Sequence, residues 1–246
     1  KRGMMMRRKA NQEENTPVYV SVVIPAAGSS SRMGENCNKL LLDLNGIPVL
    51  MRTLLVFEQC PLVQDIIVVC REMDMMPYAR LCKQFGLTKV RQMVRGGATR
   101  AASVWQGVQA CAPETEFIAI HDGARPLLRQ STLRQLIADA VQYGASAPLV
   151  PMKDSVKRLE DGFIAGDVPR ASIAAVQTPQ IFKCDTITKA LQYVLQKGLK
   201  PTDDCAAAEL IGAQVFATPG DYTNLKITTP EDMLVAQAYL QEMDFS

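Results

Sequence analysis

The stretch "PAAGSSSRMGENCNK", from Pro25 to Lys39, puts the chain's smallest residues next to fixed positive charge. Pro25, Ala26, Ala27, Gly28 and Ser29 come first, and Arg32 and Lys39 follow. Small residues let a backbone approach a ligand closely, and successive N–H groups in such a turn form an anion cradle. Two cations around the same anion strengthen it. The chemistry that asks for this combination is the binding of a polyanion such as a nucleoside triphosphate. The plainer reading of the loop is a tight strand-to-helix turn whose basic residues face water.

Two better-known nucleotide loops are excluded. Gly28 and Gly34 are not followed by the residues of a GxxxxGK[ST] loop. The GxGxxG fingerprint is missing as well, and no acidic residue stands at a suitable strand end about 20 residues on.

Three later stretches could serve the same anion. "RGGATRAASV" sets Gly96 and Gly97 before a helix that should begin near Thr99, with Ser103 one turn in. Backbone donors at a helix N-terminus can meet a nucleotide there; an ordinary N-cap turn is the alternative. "FIAIHDGARP" puts Asp122 at the carboxyl end of a strand, where open α/β sheets bind ligands. A carboxylate beside a triphosphate is a natural Mg²⁺ ligand, whereas a turn aspartate merely holds local N–H groups. "NLKITTPED" puts Lys226 at the end of a late strand, where a solvated charge is the usual role.

The elements that must position these residues alternate along the chain. Strand-like "SVVIPA", "DIIVVC", "VRQMV", "FIAIHDG" and "SAPLVP" are separated by helix-like "PVLMRTLLVFEQC", "YARLCKQFG", "TRAASVWQGVQAC" and "STLRQLIADAVQYG", the last ending on Gly144 as a C-cap. This rhythm predicts an α/β fold, a doubly wound, mostly parallel sheet with helices on both faces. After Pro151 the rhythm breaks. "DSVKRLEDGFIAGDVPR" has two strand-like arms around Asp161-Gly162, a favoured hairpin turn. It should project from the sheet as a β-hairpin arm at about 152–176, either solvated or clasping a second subunit. "CDTITKALQYVLQKG", "AAAELIG", "QVFATPG" and "NLKIT" resume the pattern, and "TPED" opens a final helix with Thr229 as N-cap and Asp232 completing a capping box.

Composition bounds the rest. The 246 residues, 48% of them apolar, can bury a substantial core, and one domain over 18–246 is the expectation. Residues 1–17, charged and poor in apolar residues, are expected to be a disordered extension. A net charge of +2 and a pI near 8.2 argue against nucleic acid as the partner. No apolar run is long enough for a membrane span. One histidine excludes a zinc site built on His pairs, and the seven scattered cysteines read as free thiols of a reducing cytoplasm.

Taken in order, "PAAGSSSRM", "GGATRAASV", "HDGARP", "KDSVK", "TPQIF", "TDD" and "NLKITTPED" make the chain resemble the 2-C-methyl-D-erythritol 4-phosphate cytidylyltransferases of the non-mevalonate isoprenoid pathway, from about Val20 to Leu240. The resemblance implies a nucleotidyltransferase-like, Rossmann-type fold. It implies joining of CTP to a sugar-alcohol phosphate with release of pyrophosphate, Mg²⁺ as cofactor, a homodimer through the hairpin arm, and a cytoplasmic location, or a plastid one in a plant or alga. By position, Arg32 and Lys39 would stabilise charge on the triphosphate. Lys226 and Arg170 would place the acceptor phosphate. Asp122 would hold the metal or the acceptor, and Arg125 and Ser155 would assist. Pro25, Ala26, Ala27, Gly28, Ser29, Gly97 and Ser103 would line the nucleotide. Arg170 and Ser155, on the arm, would serve the neighbour's site.

The chain departs from the family pattern at four places. It has Asn38-Lys39-Leu40 where Pro-Lys-Gln is common, Ala98 where an acidic residue is frequent, Ser155 for threonine and Gly123 for alanine. Two rivals remain: a ribitol 5-phosphate cytidylyltransferase, which "PAAG" and "HDGARP" disfavour, and a catalytically dead nucleotide-binding relative.

Overall fold

A computed structural model describes residues 18–28 and 38–244; the expected disordered extension, 1–17, lies outside the described residues. The chain runs β1 (Val20–Pro25), β2 (Asp43–Leu44), β3 (Ile47–Pro48), α1 (Val49–Glu58), β4 (Asp65–Cys70), α2 (Glu72–Gln84), β5 (Val90–Arg95), α3 (Arg100–Gln109), β6 (Phe117–Ile120), α4 (Gln130–Tyr143) and β7 (Ala145–Pro151). It continues with β8 (Val156–Glu160), β9 (Phe163–Val168), β10 (Ala174–Val176), β11 (Gln180–Lys183), α5 (Cys184–Lys197), α6 (Asp204–Glu209), β12 (Phe216–Pro219) and α7 (Pro230–Asp244).

The main sheet is mixed but mostly parallel. β6, β1, β4 and β5 are parallel neighbours in that order. β11 is antiparallel to β6 on one side and β7 on the other, and β10 extends the pairing further along β7. β12 runs parallel to β7 on its remaining edge. Burial on both faces explains why β1, β4 and β6 read as near-continuous apolar runs. In β1, Val20, Val22 and Ile24 pack with α1, α2, α4 and α7, while Val23 packs against α3, α5 and α6 on the opposite face. That two-faced burial is the doubly wound arrangement expected from the rhythm of the sequence.

Two readings need correction. Leu225–Thr228 is not a strand: its backbone is tied to the body through Ile227 N–H, which donates to Ala124 O at 2.9 Å, a single tether rather than a ladder. α2 begins at Glu72, six residues before the "YARLCKQFG" pattern, and carries Pro77 inside it. Glu72 and Asp74 in its first turn favour the helix N-terminus and offset the hydrogen bond that Pro77 cannot make. The stretch "TPQIF" supplies β11, which is antiparallel to both of its neighbours, β6 and β7, as local patterning does not reveal. The hairpin is as expected. β8 and β9 pair only with each other, and Asp161 and Gly162 take φ of 48° and 85°, as a two-residue turn of matching twist requires.

Candidate active site

The chain leaves β1 toward β4 and β5 and later returns to place β6 on β1's other side. The strand order therefore reverses beside β1, and ligands of open α/β sheets bind in the crevice outside the strand ends at such a point. A cavity of about 410 Å³ lies there. Its walls are the loops after β1 (Pro25, Ala26, Ala27, Gly28), β5 (Gly97 to Arg100) and β6 (Asp122 to Ala124), together with Lys39, Ser103, Lys226 and Thr228. Nine predicted site residues thus line one cleft: Pro25, Ala26, Ala27, Gly28, Lys39, Gly97, Ser103, Asp122 and Lys226. Ser29 and Arg32 lie outside the described residues.

The glycine pair is there for space. A Cβ on Gly96 would sit 2.7 Å from Ala27 Cβ, and one on Gly97 2.6 Å from Ala102 Cβ and 3.0 Å from its backbone carbon. The loop after β5 is therefore pressed against the loop after β1. Thr99 caps α3 by accepting the Ala102 N–H at 3.1 Å. Ser103 Oγ accepts the Gly97 N–H at 3.1 Å and donates to Thr99 O at 2.9 Å. Its hydroxyl shapes the loop, and the cleft gains backbone rather than side-chain groups from it. Gly123 is tight as well: a Cβ there would meet Leu50 Cδ1 at 3.3 Å.

Asp122 is the electrostatic centre. Lys226 Nζ stands 3.0 Å and Arg125 Nε 3.4 Å from its Oδ2. Burial works to raise its pKa, but Lys226, Arg125 and Arg100 outweigh that and hold the carboxyl down to about 2. It is ionised at any working pH. Arg125 stands behind it rather than along the cleft wall, with Nη1 donating to Asn224 O at 2.7 Å. Ser155 and Arg170 sit exposed at the base of the arm, Arg170 donating to Lys153 O at 3.0 Å, and neither lines this cleft.

His121 sets the position of that carboxylate from beneath. Its Nε2 faces a carbonyl, Arg125 O, at 3.1 Å, so Nε2 carries the proton. Nδ1 then accepts from Thr178 Oγ1 at 3.0 Å, and Thr178 Oγ1 in turn accepts the Asp122 N–H at 3.1 Å. Complete burial lowers the His121 pKa to about 4, so this relay is neutral.

Sequence reasoning missed Arg100. It lines the cleft and forms a bidentate pair with the buried Asp204 at 2.9 and 2.6 Å. Gln180 Oε1 accepts the N–H groups of Asp204 and Cys205 at 3.0 and 2.9 Å, fixing that carboxylate in place. The acidic pair in "TDD" is visible in the sequence, but its partner lies more than a hundred residues away.

No cluster of three or more His, Cys, Asp or Glu among the described residues could cage a metal ion. Among the described residues lining the cleft Asp122 is the only carboxylate, and its ion pairs engage only Oδ2. That donor set fits Mg²⁺ in its usual mode, one carboxylate plus substrate phosphates.

Closely approaching backbone, fixed cations and a single ionised carboxylate at the switch point are what a nucleotidyltransferase of the α/β type needs. The comparisons agree. The model of the family "IspD: 2-C-methyl-D-erythritol 4-phosphate cytidylyltransferase" matches residues 20–242, and the chain belongs to that family, whose members are nucleotidyltransferase enzymes. A relative of that name from Geotalea uraniireducens is 42% identical over 229 residues, covering 92% of this chain and 98% of its own. One from Bacillus licheniformis is 41% identical over 220 residues, covering 89% and 95%. Among solved structures, the 4-diphosphocytidyl-2C-methyl-D-erythritol synthase of Anaerococcus prevotii superposes with a TM-score of 0.81 at 29% identity over 92% of this chain and 97% of its own. The 2-C-methyl-D-erythritol 4-phosphate cytidylyltransferase of Thermus thermophilus superposes with a TM-score of 0.75 at 29% identity, covering 91% and 100%.

Proposed function

We propose that this chain joins CTP and 2-C-methyl-D-erythritol 4-phosphate to give 4-diphosphocytidyl-2-C-methyl-D-erythritol and pyrophosphate. The observation that carries the reading is the convergence of Lys39, Lys226 and Asp122 on one cleft walled by residues 25–28 and 97–100. An acceptor phosphate oxygen attacks the α-phosphorus in line. The new P–O bond forms as the bond to the β-phosphate bridging oxygen breaks, and the electron pair leaves with pyrophosphate. The attacking oxygen is already anionic, so no general base is needed. The barrier is electrostatic, and catalysis is positioning plus charge stabilisation. Lys39, its Nζ steadied by Ile227 O at 2.8 Å, offsets triphosphate charge together with Arg32. Lys226, held by Asp122, receives the acceptor phosphate, with Arg125 fixing Asp122 from behind. Asp122 would hold Mg²⁺, which when bound supplies charge neutralisation across the phosphates.

Residues 18–246 act in this reading as one catalytic domain carrying the arm at about 152–176, whose last residues return to the main sheet as β10. Leu159, Phe163 and Ile164 of the arm are 70, 78 and 71% exposed, apolar surface that a second copy of the chain would cover. Arg170 and Ser155, absent from their own cleft, then complete the neighbour's. Among the described residues no helix is long and apolar enough to cross a membrane. The buried free thiols of Cys60, Cys70, Cys82 and Cys205 suit a reducing cytoplasm.

The test is pyrophosphate release with CTP and Mg²⁺, offering methylerythritol 4-phosphate and ribitol 5-phosphate separately. Fast release with the first and slow release with the second is expected. The reverse preference would overturn the acceptor assignment, and release with neither despite CTP binding would establish a dead relative.

A further inference from the structure

Lys39 sits in a single 3-10 turn, Lys39–Leu41, and the residue before it is unusually well tied. Asn38 Oδ1 accepts the Leu40 N–H at 3.2 Å and so caps the turn. Asn38 Nδ2 gives one proton to Asp74 Oδ1 at 3.1 Å and the other to Tyr78 OH at 2.9 Å, both on α2. With its oxygen taken by the Leu40 N–H, the amide turns its nitrogen, which carries both protons, toward Asp74 and Tyr78.

The α2 side of this joint is itself tied down. Arg71 grips Asp74 through Nε at 2.6 Å and Nη2 at 3.1 Å. Tyr78 is fully buried, and burial pushes its phenol up to about 12, so it stays neutral. Leu40, also buried, pins the turn to the core. At the far end of the lysine, Nζ meets Ile227 O at 2.8 Å. The lysine is therefore held at both ends, and Asn38 is the side chain that ties its backbone to a neighbouring helix.

We propose that Asn38 is a positioning residue of the reaction, fixing the direction of Lys39 into the cleft by locking the 3-10 turn onto Asp74 and Tyr78 of α2. The proposal rests on the triphosphate role given to Lys39 above. A lysine is a point charge on a flexible four-carbon stem, so its effect on a transition state depends on where its main chain holds it. Small misplacements of such a group carry large rate penalties.

The experiment is a double-mutant cycle on the purified enzyme, comparing wild type, N38A, K39A and N38A/K39A for pyrophosphate release at saturating substrates. N38A is expected to lower kcat roughly 10- to 100-fold. Within the K39A background it is expected to change kcat by less than about two-fold, because a residue acting only through Lys39 has nothing left to act on. The same cycle read by CTP affinity covers rates too slow to measure. A thermal melt of N38A within a few degrees of wild type separates positioning from unfolding. Y78F, which keeps the ring and loses the hydroxyl, should give a smaller loss with the same non-additivity. Wild-type-like kcat in N38A, or an equal factor in both backgrounds, overturns the proposal alone. A wild type that releases no pyrophosphate overturns the functional reading beneath it as well.

Discussion

Arg100 and Asp204 are asymmetric partners. The Arg100 side chain is 34% exposed at the cleft wall, whereas that of Asp204 is 1% exposed. Burial works against the Arg100 charge, but Asp204 more than offsets it and keeps the guanidinium protonated. Removing either partner is therefore unequal. In Arg100→Met the carboxylate is stranded where water cannot reach it, and a loss of about 3–5 kcal/mol is expected. In Asp204→Asn the shape is kept and the guanidinium can turn to solvent, so about 1–2 kcal/mol is expected. Urea melts at neutral pH measure both. A larger loss in D204N than in R100M would mean that the pair is not organised around the buried carboxylate.

At the scale of the element, the arm is what the proposed dimer depends on. Its turn was legible because Asp-Gly supplies the two positive φ values that a two-residue hairpin needs. What Arg170 serves rests on the resemblance alone, because the residue does not line its own cleft. If it serves the neighbour, K39A and R170A dimers should each be impaired, yet mixing and re-equilibrating them should restore activity. Each mixed dimer then has one site with Lys39 and Arg170 both intact. Pyrophosphate release after mixing checks this, with sedimentation to confirm exchange. No recovery in exchanged dimers would return Arg170 to its own chain.

At the scale of the whole molecule, the loop after β6 couples stability to pH. His121 has an ordinary pKa of 6.5 and is held to about 4 in the fold. Its pKa is depressed, so between about pH 6.5 and 4 the unfolded chain binds a proton that the folded chain refuses. Stability must then fall as pH falls through that window, by up to about 3 kcal/mol. Asp122, lowered from 3.8 to about 2, removes more stability below that window, because its folded form is the anion. Urea unfolding from about pH 7 to 4 should show the first slope, and His121→Gln should flatten it by nearly one proton. An unchanged slope in H121Q would assign the acid sensitivity elsewhere.

The alternation of elements could be read from the order of amino acids, because apolar periodicity and two-faced burial leave a local signature in each segment. So could the residues at the strand ends, since small residues, Gly96-Gly97 and Asp122 stand at the junctions where strands give way to turns. The antiparallel run of "TPQIF", the tether in place of a ladder at Leu225–Thr228, and the start of α2 ahead of Pro77 could not. Nor could the pairing of Arg100 with Asp204, the relay from His121 through Thr178 to Asp122, or the joint between Asn38 and α2, all of which appear once the chain is packed. The physical reason is the same in each case. Periodicity is a property of neighbours in the chain, whereas a buried polar group takes whichever partner the packed sheet and helices bring within hydrogen-bond reach.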